Sequence, residues 1–423
     1  MVELPKIRGG IKMFLPRLVI RNLSRHKRRV FITALIIAFA ILVYIMIEGL
    51  MMGLTEISFA NIINLDSGHL QITDRNYFAD RDELPLKNLL TPTREIEEQI
   101  EATAGLEAYT RRLDFSVNLN NGIDELPVKG VGIDPGKDPA VFDLEKHLIS
   151  GRMPTAGSRE IIMGARLADL MDFEIGDYGI MLIRTAEQTF NTIDGEIVGL
   201  FNTPHPSLND STVFIPLSTA QASLNLGDQI SHYVLRMEER QRGITAVEDL
   251  NPALNDPLRA YSWRSTSENL IYMLELQQIE TQIVLAIILT IAAVGIVNTV
   301  ILSALERMEE LGMMKAMGMR EKEIVHIFMG EAAGIGLIGG IMGLIMGAIG
   351  LYIFNHYGID MSTLAGGGEI TYGFPVSGTI YAGWSIASFV FVFSYGLFVS
   401  ILASIFPALW AARKDPIKAI YHR

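Results

Sequence analysis

The chain reads as a polytopic α-helical membrane protein with four transmembrane helices and one large α+β extracytoplasmic domain. Three observations predict this. Four apolar stretches, Val30–Ile47, Ile283–Leu305, Ile324–Phe354 and Tyr381–Leu409, reach the length of about 20 residues that a bilayer-spanning helix needs. Between the first and second lies a long polar stretch with alternating apolar positions. Charge divides the 423 residues the same way: positions 1–29 hold nine Lys/Arg against one acid, whereas 51–282 hold 18 against 36. An acidic soluble block set in a basic membrane frame explains the net charge of −12 and argues against a nucleic-acid partner.

Taken in order, residues 1–29 form a basic N-terminal segment and 30–50 the first transmembrane helix. Residues 51–280 form the outer domain, 283–305 the second helix, and 306–323 a short connecting segment. The third helix occupies 324–354, an outer loop 355–380, the fourth helix 381–410 and a tail 411–423. The first stretch is expected to stay as an anchor, because Ile47-Glu48-Gly49-Leu50 offers no small-residue cleavage pattern. Lysine and arginine fix the expected orientation. Arg21, Arg25, Lys27, Arg28 and Arg29 precede the first span, and Arg307, Lys315, Arg320 and Lys322 lie between the second and third. Arg413, Lys414, Lys418 and Arg423 follow the fourth, while 355–380 has none. The N-terminus, segment 306–323 and the tail therefore face the cytoplasm.

The third span is dense in glycine. Gly336/Gly340 and Gly343/Gly347 repeat every four residues, a spacing that lets a neighbouring helix backbone approach closely. Pro407 is expected to kink or end the fourth helix.

The outer domain has no cysteine, so it is held by its core and has no thiolate metal site. Strands are expected at Gly68–Thr73, Asp114–Leu119, Leu126–Ile133, Gly179–Ile183, Glu196–Phe201, Thr212–Pro216 and Ser231–Met237. Helices are expected from Thr91-Pro92, over Ala165–Met171 and from Ser218. A small lobe made by the two ends of the insertion, with a second lobe between, accounts for this order. The tips 184–194 and 202–211 are candidate docking loops. His69, His147, His205 and His232 lack metal-ligand spacing, and no nucleophile elbow occurs. Gly136-Lys137 is followed by Asp138 and lacks the upstream glycine of a phosphate-binding loop. A non-catalytic chain is expected.

What remains is the run Glu306–Met319. On a helix, Met308, Leu311, Met314 or Lys315, and Gly318 fall near one stripe, with glutamates beside it. Methionine suits adaptable protein grooves. The run fits either a helix lying at the lipid interface or one that takes a push from a soluble partner. The residues expected to carry that coupling are Glu306, Arg307, Glu309, Glu310, Leu311, Lys315 and Met317.

The order of these parts, the pattern Glu-Arg-x-x-Glu-x-Gly-x-x-Lys-Ala-x-Gly from Glu306 to Gly318 and the ending Phe406-Pro407-Ala408…Asp415-Pro416-Ile417 together resemble the FtsX/MacB-type (type VII) ABC transporter permeases. Gly151…Glu160-Ile161-Ile162-Met163-Gly164…Gly176-Asp177 resembles the MacB-type periplasmic core domain. With Leu18–Arg25 and Asn64–His69, the chain is most similar to the lipoprotein-releasing permeases LolC and LolE. The resemblance implies a bacterial inner-membrane protein with a cytoplasmic ABC ATPase dimer, which binds ATP and Mg, and a second permease copy or homologue. It further implies contact with membrane lipids, lipoproteins and a periplasmic carrier. Acyl chains would enter between the first and second spans, near Glu48, Met51, Met52 and Ile57. A MacB-like mechanotransmission exporter and an FtsX-like permease that regulates a cell-wall hydrolase are the alternatives.

Overall fold

The structure is a computed structural model that describes residues 18–360 and 379–413. The expected N-terminal segment before residue 18, positions 361–378 of the expected loop, and the tail from 414 with Lys414, Lys418 and Arg423 lie outside the described residues. The chain divides into two compact units. Among the described residues, four helices are long and apolar enough to cross a membrane.

All four outrun or shift from the apolar windows that mark them. Span 1 is Lys27–Ile62, span 2 Glu268–Glu306, span 3 Glu321–Tyr357 and span 4 Ile386–Ala412. Span 2 starts well ahead of Ile283 because Glu268–Gln282 is rich in Leu, Glu, Gln and Met, which favour helix without being apolar enough to mark a bilayer crossing. Span 1 runs into a wide turn at Ile63–Ser67, which Gly68 ends with its N–H on the Ile63 carbonyl. Gly68 has φ of 65°, and a Cβ there would stand 2.2 Å from Val234 Cγ1, so glycine is required. Pro407 lies inside span 4, and the helix continues to Ala412.

Span 3 packs two glycine faces. A Cβ on Gly336 would stand 2.7 Å from Ser400 Oγ, and one on Gly340 2.7 Å from Phe393, both on span 4. The other face meets span 1: Gly343 would strike Ile41 at 2.7 Å, and Gly347 would strike Ile45 at 2.7 Å. Each glycine replaces a side chain that the neighbouring helix has no room for.

In the outer domain ten strands form one sheet: β1 Leu70–Asp74, β2 Leu106–Asn120, β3 Glu125–Ile133, β4 Leu148–Gly151 and β5 Glu160–Gly164, then β6 Tyr178–Arg184, β7 Phe190–Phe201, β8 Thr212–Pro216, β9 His232–Met237 and β10 Leu258–Ser262. The order is β10-β1-β9-β2-β3-β8-β5-β7-β4, and β6 pairs with both β7 and β2. That second pairing closes β2-β3-β8-β5-β7-β6 into a ring. The lobe built from the ends of the insertion is β10-β1-β9, and β2 belongs to both lobes: its first half pairs with β9 and its last residues with β6. The helix expected from Thr91 starts at Arg94 instead, because the Thr93 hydroxyl is the one that accepts from Ile96 N–H.

Where β2 passes from one lobe to the other, it carries a buried charge cluster. Arg112 donates to both oxygens of Asp138 at 3.0 and 2.9 Å and stacks on Phe142. Lys129 reaches Asp114 at 2.7 Å. Burial alone would raise the Asp114 carboxyl, but Lys129 overrides it and holds Asp114 below the usual carboxylate range. Burial pushes the His232 imidazole down to about 4. Every partner here is supplied by the same domain.

Candidate coupling site

The connecting run folds as a nine-residue helix, Met308–Ala316, with Arg307 at its N-cap and Gly318 turning the chain at φ 95°. We call it the coupling helix. One side is fixed to the helical unit. Leu311 is buried in the core that spans 1 to 4 share, with Met314 and Met319 against it. Lys315 Nζ donates to the Ala412 carbonyl at the end of span 4 at 2.7 Å. Glu306, the last residue of span 2, accepts from Arg29 at 2.8 Å. Glu310 accepts from Arg307 and from Arg25, each at 3.0 Å, and the Arg307 hydrogen bond with its charge holds the Glu310 carboxyl below its ordinary value.

Glu309, Met313, Ala316 and Met317 form the opposite side, at i, i+4, i+7 and i+8, and all four are exposed, Met317 to 80%. Of the seven residues expected to couple, then, Glu309 and Met317 lie on the open side, and Glu306 is exposed as well. Arg307, Leu311 and Lys315 are spent on internal contacts, with Glu306 and Glu310 clamped by arginines. Met313 was missed; its phase relative to Glu309 and Met317 is the signal that marks it.

Glu331 was also missed. This span 3 carboxylate is buried and accepts from Arg307 at 3.0 Å. Its partners lie on other helices, so no local motif marks it.

The substrate-path residues expected near the first span do not converge. Glu48 accepts from Ser388 Oγ at 3.3 Å, and Met52 packs against Gly383, so both face the start of span 4. Span 1 turns other residues to span 2: Thr33 and Thr299 share a hydrogen bond of 2.7 Å. Met51 is half-buried, as is Ile57, which belongs to the outer domain's unit. Beside Ile57, Glu56 pairs with Arg240 at 2.9 Å, and the guanidinium lies over Phe59 and Trp263.

Residues 282–416 match the FtsX-like permease C-terminal family, and residues 30–253 match the MacB-like periplasmic core domain. The chain belongs to the FtsX/MacB-type ABC transporter permeases. Similar proteins include both LolC and MacB proteins. The lipoprotein-releasing system transmembrane protein LolC of Xylella fastidiosa is 21% identical over 318 residues, covering 71% of this chain and 75% of that one. The macrolide export ATP-binding/permease protein MacB of Agrobacterium fabrum is 22% identical over 414 residues, covering 93% of this chain and 58% of that one. The solved periplasmic region of MacB from Actinobacillus actinomycetemcomitans is 14% identical, covers 50% of this chain and 95% of that one, and has a TM-score of 0.35. The permease is thus a multi-pass membrane protein with an extracellular domain.

Proposed function

We propose that the coupling helix is the contact through which a separate cytoplasmic ABC ATPase dimer moves this permease. The observation that carries the reading is the division of the helix into two faces: one is clamped by Leu311, Lys315 and two arginine–glutamate pairs, and the other leaves Glu309, Met313 and Met317 bare. A helix that only lay at the lipid interface would not put a bare carboxylate, Glu309, on the same face as its free methionines. ATP and Mg belong to the partner, which pushes the free face; the clamped face passes the push to the spans. A second permease, a copy or a homologue, completes the complex in the inner membrane.

Extraction of lipoproteins from the membrane, with a periplasmic carrier to receive them, is the activity we favour. The match to LolC covers three quarters of that permease, which has no ATP-binding part in its name. A MacB-like exporter is the second reading, favoured by the alignment that covers 93% of this chain. Purifying the complex from membranes separates them. Lipoproteins and a short ATPase should copurify; an adaptor and an outer-membrane channel would favour the exporter instead. Absence of any ATPase from the complex would refute both.

A further inference from the structure

Glu331 is a buried carboxylate within span 3. It lies ten residues into span 3, about 15 Å along the helix from Glu321. A carboxylate at such a depth must find partners inside the bundle. It finds them on three separate elements. Asn22 Nδ2 donates from the N-terminal helix (residues 18–25) at 2.5 Å, Ser303 Oγ from the last turns of span 2 at 3.5 Å, and Arg307 Nη1 at 3.0 Å. Both side chains of the ion pair are 9% exposed. A cavity of about 10 Å³, close to the room one water needs, lies between Asn22, Arg29, Thr299, Ser303 and Glu331.

Arg307 is the other half of the device. Its Nη1 holds Glu331, while its Nε holds Glu310 one turn into the coupling helix at 3.0 Å. Glu310 in turn takes Arg25 of the N-terminal helix. No backbone ladder joins these helices, so their register depends on side chains. Each member of a buried pair is costly if left alone, which makes the joined arrangement steep to leave.

We infer that Glu331 is a positioning residue that locks the end of span 2, the first turn of the coupling helix and the N-terminal helix to span 3, so that they move as one body. The inference rests on the proposed coupling role and names the residue that delivers the push to span 3. Without Glu331, the coupling helix keeps its Leu311 contact, its Lys315 hydrogen bond to span 4 and a looser 3.9 Å Lys315–Glu321 pair at the start of span 3, but loses its buried tie to span 3.

The chain has no cysteine, so two can be introduced without background. Leu305→Cys and Leu337→Cys place spin labels on exposed apolar positions of spans 2 and 3, outside the ion cluster. The permease is assembled with its ATPase in lipid nanodiscs, diluted with unlabelled permease, and the label distance is read without nucleotide and with ATP plus vanadate. With Glu331 intact, the distance should be the same in both states. In Glu331→Gln it should change by up to about 5 Å, one helical turn, on adding nucleotide. Glu331→Gln strands a buried arginine and will lower thermal stability, so Arg307→Gln/Glu331→Gln is the control. Removing both charges should restore stability and leave the nucleotide-dependent change in place. A double variant whose label distance is as constant as in the parent overturns the inference, because the pair would then serve folding only. If the parent permease binds no ATPase, the coupling reading itself falls, and this inference with it.

Discussion

The outer domain and the helical unit of this permease each hold an ion cluster, and the two are supported in opposite ways. In the outer domain, Arg112, Asp114 and Lys129 sit on β2 and β3, which are paired along nine residues, and Asp138 begins the short helix that follows β3. In the helical unit, Arg25, Arg307, Glu310 and Glu331 come from helices tied to one another by side chains. The first cluster is a brace within a hydrogen-bonded sheet and has nowhere to move. The second is a clasp between bodies that can separate. The same chemistry therefore gives rigidity in one place and registration in the other.

Breaking the brace should have the largest effect on stability. Arg112→Met leaves Asp138 buried without its counter-charge and should cost about 3–5 kcal/mol. Hydrogen exchange of β2 and β9 in the full-length permease should show it as loss of protection, and Arg112→Met/Asp138→Leu should recover most of it. Next comes pH. His232 is neutral in the folded domain with its pKa at about 4, against 6.5 in an unfolded chain. The unfolded state binds the extra proton first, so stability falls as pH drops from 6.5 towards 4, by up to about 3 kcal/mol. Acid unfolding followed at β9 should show this slope, and His232→Gln should make it shallower, with the rest coming in part from His69, which burial also pushes down to about 4. The coupling helix is not expected to respond in that window.

Smaller still is the free face of the coupling helix. Glu309→Lys with Met313→Glu should weaken ATPase binding by about tenfold, or 1.4 kcal/mol, with no change in thermal stability, since both side chains are exposed. Binding of the ATPase to permease-loaded nanodiscs measures it. Smallest is Glu310→Gln. Its side chain is 40% exposed and Arg307 keeps Glu331, so losing the pairs with Arg25 and Arg307 should cost no more than about 1 kcal/mol. A larger loss there would mean that the clasp is as rigid as the brace.

The sequence made the spans, their order and the basic segments beside them legible, because bilayer length and Lys/Arg distribution are local signals. The two-lobe plan of the outer domain was readable from the order of its strand and helix segments. Closure of the ring was not, since β6 meets β2 across some 60 residues and nothing in Tyr178–Arg184 announces its second partner. The stripe of Met308, Leu311, Met314 or Lys315, and Gly318 is legible in the sequence, and Leu311, Met314 and Lys315 do share a side. What the sequence does not tell is that this side packs on the helical unit and that Met313 is on the open one. A helix of nine residues has too few turns for periodicity to fix its rotation, and the Arg307–Glu331 pair sets it instead. Glu331 and Asn22, 309 positions apart, become neighbours only in the folded bundle.

The side of the membrane on which the coupling helix lies tests the account most directly. With no native cysteine, Met317→Cys and Ile123→Cys can each be probed with a membrane-impermeant maleimide in intact and in opened cells. The account predicts that position 123, at the tip between β2 and β3, reacts in intact cells. Position 317 should react only after opening, and added ATPase should protect it. Labelling of position 317 from outside intact cells would contradict it.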